Sequence, residues 1–301
     1  MSALQYESLG FTDIIVRLED GVAILTLNRA KQRNTWSISL VNELIKAFDL
    51  FNRDDRVRVV ILTAEPTAPS FCSGADISRG WGGMFSEEVQ HEGPHAHRDT
   101  GGLVSLAILR CRKITIVAVN GHAVGVGMTA LQLPFDFRFI WGGAKLALPF
   151  VRRGVSPEAI STYLLPRLIG HSRATALMLS GATVSPDSPL LQGLYHEIHP
   201  TRDAVFPAAL AFGKELAANT SQGSIAVTKG LLWRGADTPE GQFLLDSRAI
   251  QILGMSGDAE EGAKAFKERR PVNFKETLSK NLPNWFPWWT EVDVKHRKAK
   301  L

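Results

Sequence analysis

The stretch Ile114-Thr115-Ile116-Val117-Ala118-Val119, followed at once by Asn120-Gly121-His122-Ala123-Val124-Gly125-Val126-Gly127, decides how the rest of this 301-residue chain is read. A near-continuous apolar run of this length suits a strand covered on both faces. It falls far short of the roughly 18 apolar residues that mark a membrane span. The glycines behind it open a turn whose backbone N–H groups can point inward with no side chain in the way. The same arrangement occurs once earlier, where the apolar run Val57–Thr63 leads to Phe71-Cys72-Ser73-Gly74-Ala75-Asp76-Ile77. Two N–H groups converging at a helix N-terminus suit the charge that develops on a thioester carbonyl oxygen. Taken singly, each turn is equally a tight packing turn.

Working outward, Ile14–Leu18 and Val22–Asn28 are apolar runs joined by Glu19-Asp20-Gly21, a hairpin signal. Ser37–Phe51 predicts a helix, with Leu40, Leu44, Phe48 and Phe51 drawing one apolar stripe. Ser78–Gly102 is poorly patterned and glycine-rich, and reads as a long mobile loop, or a short helix within one, beside a pocket. Alternation resumes through Leu103–Arg110, Ile114–Val119, Gly127–Leu133 and Phe135–Trp141. Helices are expected over Pro157–Leu168, His171–Ser180, Ala204–Asn219, Ser221–Trp233, Glu240–Leu253 and Asp258–Arg269. A strand-rich first half and a helix-rich second half predict an α/β fold with a trailing helical region. The aromatic run Trp285-Phe286-Pro287-Trp288-Trp289 is expected to pack on its own body or on a neighbour.

Composition narrows the function. Hydrophobic residues make up 45% and charged residues 21%, which excludes a disordered or collagen-like chain. A net charge of +4, scattered along the sequence, gives no nucleic-acid footprint. Cys72 and Cys111 are the only cysteines, too few for a disulfide framework or a cysteine zinc cage. His91, His95 and His97 lack carboxylates or thiolates at metal-completing spacing, so no metal is expected. There is no G-x-S-x-G and no Walker loop. Gly125–Ala130 matches G-x-G-x-x-A, but Lys145–Phe150 occupies the place where a dinucleotide fold puts its acidic residue. Met1–Thr12 lacks both a basic n-region and an apolar h-region, so no secretory signal is expected there.

Both glycine turns, the segment Leu27–Asn34 (LNRAKQRN), and Ala265-Phe266 with Arg269-Arg270 occur together and in order. On these residues the chain resembles the crotonase superfamily of enoyl-CoA hydratases and isomerases, from about Val22 to Phe274. The resemblance implies a spiral of βα units over residues 1–202, acting on an acyl-CoA. It also implies a helical region over 203–301 for trimerisation and active-site cover, giving a homotrimer or a dimer of trimers. It places the oxyanion-hole N–H groups at Ala75 and Val126. No separate cofactor is implied, coenzyme A being part of the substrate.

Departures from the family pattern decide the expected chemistry. The family's hydratases carry two glutamates at positions that align here with Thr129 and Phe150. Threonine cannot serve as a base near neutral pH, and phenylalanine can neither hold nor activate water. Gly154–Pro166, containing Ser156-Pro157-Glu158, looks like the peroxisomal Δ3,Δ2-enoyl-CoA isomerase branch, in which this glutamate is the single base. Glu158 is accordingly the expected catalytic residue. A glutamate behind Pro157 is equally what a helix start favours through its macrodipole.

The family places coenzyme A against Arg29, Lys31, Ser73, Ala75, Asp76, Ile77, Arg269 and Lys280, although each of these cations is also an ordinary surface charge. Thr129, Phe150, Trp81 and Met84 are the expected acyl-pocket residues. The terminal Ala299-Lys300-Leu301, behind a basic stretch, resembles a peroxisomal import signal; peroxisomal residence is expected, and cytoplasmic residence otherwise. A hydratase, a related enzyme tailoring an unusual acyl-CoA, and a non-catalytic acyl-CoA-binding homologue remain as alternatives.

Overall fold

The computed structural model describes residues 4–77, 80 and 96–294. Trp81, Met84, most of the Ser78–Gly102 loop and the terminal Ala299, Lys300 and Leu301 lie outside the described residues. Among the described residues, nine strands run in chain order: β1 (Ile14–Glu19), β2 (Val22–Leu27), β3 (Val59–Ala64), β4 (Ile114–Val119), β5 (Ala123–Val124), β6 (Phe137–Trp141), β7 (Leu146–Ala147), β8 (Thr183–Val184) and β9 (Glu197–His199). The main sheet has the order β1-β2-β3-β4-β6-β9 and is parallel except for the β1–β2 hairpin. Glu19 pairs with Val22 across Asp20 and Gly21, whose φ angles of 49° and 80° are those a two-residue hairpin turn needs. A small second sheet, β5-β7-β8, carries the glycine turns of the site.

Period-two patterning explains why the central strands are apolar throughout. Ala23, Leu25, Val60, Leu62, Val117 and Val119 face one core, which also holds Leu40, Leu44, Phe48 and Phe51 of α1 (Ile38–Arg53). Val22, Ile24, Val59, Ile61, Ile114 and Ile116 face the opposite core. That second core is closed by Val205, Ala209 and Ala217 of a long helix, Arg202–Asn219. With a helix on each side, both faces of β3 and β4 are buried, as a parallel sheet requires.

The remaining α-helices among the described residues are α2 (Thr100–Leu109), α3 (Val126–Thr129), α4 (Ser161–Ile169), α5 (His171–Ser180), α6 (Arg202–Asn219), α7 (Gln222–Arg234), α8 (Pro239–Gly254), α9 (Gly257–Glu268) and α10 (Leu278–Asn281). The aromatic tail folds back on its own chain: Trp285 stacks on Trp288 at 4.9 Å, and the Trp288 indole donates to the Arg234 carbonyl of α7 at 2.9 Å.

Three expected boundaries are corrected. The helix expected from Pro157 begins only at Ser161, because Ala159 and Ile160 adopt left-handed φ angles of 60° and 59°. Glu158 therefore sits in a turn and not in a first helical turn, and the macrodipole account of it does not apply. The helix expected over Gly127–Leu133 is the single turn α3. The end of the expected loop is already helical, since the Asp99 side chain caps α2 by accepting from Gly102 N–H at 2.5 Å.

Candidate active site

The two glycine turns meet. Cys72 bridges to Ala123, Val124 N–H donates to the Cys72 carbonyl at 3.1 Å, and Cys72 N–H donates to the His122 carbonyl at 3.2 Å. Gly74 has φ +95°, and a Cβ there would stand 3.1 Å from the Val124 carbonyl oxygen; a side chain would part the turns. Gly125 has φ 54° and ψ −119°, backbone space open essentially to glycine alone. This geometry starts α3 at Val126, whose N–H is left over at the helix N-terminus. Ala75 follows Gly74 in a bridge to Trp36, in which Trp36 N–H donates to the Gly74 carbonyl at 3.0 Å. Neither Ala75 N–H nor Val126 N–H donates to a backbone carbonyl among the described residues.

Glu158 reaches this point from the turn before α4. The buried Thr129 hydroxyl, on α3, donates to Glu158 Oε1 at 2.5 Å. The other carboxyl oxygen lies where Gly101 leaves room: a Cβ on Gly101 would be only 1.9 Å from Glu158 Oε2. Asp99, one turn away, accepts from Ala159 N–H at 3.1 Å and so pins the backbone next to Glu158. Burial is the main force on the Glu158 carboxyl and pushes it up to about 8. The nearby Asp99 carboxylate acts in the same direction, whereas the Thr129 hydroxyl opposes it.

The two positions where the family's hydratases carry glutamates are thus accounted for. Thr129 is a ligand of Glu158, and the buried Phe150 ring has its tip 3.9 Å from where a Gly125 Cβ would lie, making an apolar wall beside the second turn. The Cys72 thiol is buried and pushed up to about 12, so it stays neutral and is no nucleophile.

Of the residues expected to bind coenzyme A, Arg29, Ser73, Ala75, Asp76 and Ile77 line one cavity of about 390 Å³, together with Trp36. Arg29 is not a free cation there: it pairs with Asp13 at 2.9 Å. Lys31 is exposed on the short turn Ala30–Gln32 and does not line that cavity. Arg269 and Lys280 are exposed on the C-terminal helical segment, and neither lines the cavity. A larger cavity of about 530 Å³, between α7 and the aromatic tail, has no residue of either glycine turn in its wall. Among the described residues no cluster of three or more His, Cys, Asp or Glu side chains could hold a metal ion. Among them, too, no helix is long and apolar enough to cross a membrane.

Sequence reading missed Asp99 and Gly101. Both fell inside a segment read as loop, and the signal that could have found them is Asp99-Thr100-Gly101-Gly102, a capping residue followed by two side-chain-free positions.

Comparison with known proteins identifies the family. Residues 17–277 match the family model described as enoyl-CoA hydratase/isomerase. An enoyl-CoA hydratase of Alternaria alternata is 38% identical over 259 residues, spanning 86% of this chain and 84% of that one. A 1,2-epoxyphenylacetyl-CoA isomerase of Escherichia coli is 28% identical, spanning 87% of this chain and 97% of that one. The crystal structure of a probable enoyl-CoA hydratase/isomerase from Mycobacterium abscessus superimposes with a TM-score of 0.76 at 34% identity, covering 88% of this chain and 99% of that one.

Proposed function

The chain belongs to the enoyl-CoA hydratase/isomerase family, and we propose that it moves a double bond, converting a 3-enoyl-CoA to the conjugated 2-trans-enoyl-CoA with Glu158 as sole base. The observation that carries this reading is the environment of Glu158: one carboxyl held by Thr129 beside both glycine turns, with Thr129 and Phe150 where a hydratase would have its two glutamates.

In the proposed reaction, the Glu158 carboxylate takes a proton from C2 of the thioester. The electron pair of the broken C–H bond spreads over C2, C3 and C4 and onto the thioester oxygen. Ala75 N–H and Val126 N–H, neither of which donates to a backbone carbonyl among the described residues, hold that oxyanion. Glu158 then returns its proton to C4, forming a C–H bond there and leaving the double bond between C2 and C3. A carboxyl raised by burial is a stronger base once ionised than an ordinary carboxylate, which suits removal of a weakly acidic C–H proton. The cavity lined by Arg29, Ser73, Ala75, Asp76 and Ile77 is the proposed route for the coenzyme A arm, and exposed Lys31 at its margin is the proposed phosphate contact.

Hydration of a 2-enoyl-CoA is the second reading, favoured by the naming of the 38%-identical Alternaria relative as a hydratase. Purified protein supplied separately with 3-enoyl-CoA and 2-enoyl-CoA distinguishes the two. Isomerisation gives a product of unchanged mass from the first; hydration adds the mass of water to the second.

A homotrimer, alone or paired as a dimer of trimers, is the proposed assembly. Leu232, Phe243, Leu244, Ile250, Met255 and Phe266 are all more than two-thirds exposed on α7, α8, α9 and the α8–α9 junction, the kind of apolar surface that marks a subunit contact. Arg269 and Lys280, on the same segment, are proposed to serve coenzyme A from there. Light scattering of the eluted protein tests the assembly; a monomeric mass would overturn it.

A further inference from the structure

We propose that Asp99 is the positioning residue of Glu158, a second carboxylate that ties the Glu158 turn to the start of α2 and presents a like charge to the base. The inference rests on the reading of Glu158 as the base.

Two hydrogen bonds converge on the Asp99 side chain. Its Oδ1 accepts from Gly102 N–H at 2.5 Å, capping α2, and from Ala159 N–H at 3.1 Å, fixing the residue after Glu158. Its Oδ2 lies 2.6 Å from where a Cβ on Gly102 would stand. The adjacent position, Gly101, is the one into which Glu158 Oε2 projects. The two carboxyls therefore lie over neighbouring glycines of one helical turn. A like charge so placed disfavours ionisation of the Glu158 carboxyl, in the same direction as its burial.

A cap alone needs only one oxygen and no charge; serine and asparagine cap as well as aspartate does. The charge is the part that capping leaves unexplained. The other groups facing Glu158 among the described residues are the Thr129 hydroxyl from α3 and the neutral Cys72 thiol from the first turn. Neither supplies a cation, and no ion pair involves Glu158 among the described residues. Asp99 is therefore the charge that acts on it.

Asp99→Asn separates the two roles, since its amide oxygen still accepts from both N–H groups while the charge is gone. We expect unchanged melting and acyl-CoA affinity, and a rising limb of kcat/KM displaced to lower pH by about one unit. Asp99→Ala, which loses the cap as well, is expected to lower kcat by tenfold or more. A pH profile of Asp99→Asn that superimposes on that of the parent overturns the proposal. Carboxyl 13C titration of Glu158, assigned by its loss in Glu158→Gln, provides a readout independent of turnover. A lower midpoint in Asp99→Asn supports the coupling, and an unmoved midpoint overturns it. If Asp99→Asn does not fold, the parent protein decides. Each carboxyl carbon sensing the other's ionisation supports the pair, and two independent single steps overturn it. Should Glu158→Gln keep full turnover, the base assignment fails, while the titration still reports on Asp99 separately.

Discussion

Gly101→Ala is a one-methyl perturbation aimed at the carboxyl and at little else. The added Cβ would sit 1.9 Å from Glu158 Oε2 and 3.0 Å from both Glu158 Cδ and the Ala159 Cβ. A carbon and an oxygen in contact stand roughly 3.3 Å apart, so the carboxyl must retreat by about 1.4 Å. Thr129 Oγ1 holds the other oxygen at 2.5 Å, so this retreat also breaks or stretches that bond. A displacement of about 1 Å at a reacting group can cost roughly a hundredfold in rate, and that is the expected loss in kcat/KM. Stability should change far less. Alanine is favoured over glycine inside a helix by about 1 kcal/mol, which offsets part of the overlap. The assay is steady-state isomerisation of a 3-enoyl-CoA beside thermal unfolding of the same preparation. A folded Gly101→Ala protein with activity within threefold of the parent would refute the placement of Glu158 as the working base.

Four further outcomes follow from the same geometry. Glu158→Gln should keep fold and acyl-CoA binding and lose a hundredfold or more in turnover, the usual weight of a general base being roughly 10²–10⁴. Because Glu158 is raised to about 8, kcat/KM of the free enzyme should climb with pH and level off above about 8; a flat profile from pH 6 to 9 contradicts it. The sign for stability is the reverse: the contribution of Glu158 is full below the ordinary carboxylate value and is lost as pH rises through about 8, so Glu158→Gln should unfold at a higher temperature than the parent at pH 9 and not at pH 5. Thr129→Val removes the one hydrogen bond that favours the charged carboxyl, so the profile should move to higher pH, opposite to Asp99→Asn, with turnover falling about tenfold. Away from the site, Phe48→Ala should cost about 3–5 kcal/mol by urea unfolding, since this fully buried ring packs edge-on against Phe51 and Phe135 at 5.9 and 6.0 Å.

The sheet was largely readable in the sequence because its signals are local. Ile114–Val119 and the Asp20-Gly21 hairpin carry their structure in composition and φ preference, and Leu40, Leu44, Phe48 and Phe51 write the inner face of α1 directly. Gly74 and Gly125 marked the turns correctly for the same reason, each standing where positive φ and close approach leave no room for a side chain. What stayed hidden depends on contacts across the chain. The delay of α4 to Ser161 follows from Asp99, 60 positions upstream, holding Ala159 N–H, and no local pattern around Pro157 encodes that. The pairing of Arg29 with Asp13 has the same character: the resemblance marked Arg29 as an expected coenzyme A contact, and folding put a carboxylate beside it.

The central claim is that one carboxyl carries a proton from C2 to C4 of an acyl thioester. A 3-enoyl-CoA bearing deuterium at C2, followed through a single turnover by mass spectrometry and deuterium NMR, tests it most directly. The account predicts a conjugated 2-enoyl-CoA with no added water and with deuterium detectable at C4. A product carrying the mass of water, or a shifted double bond with no deuterium at C4, would contradict it.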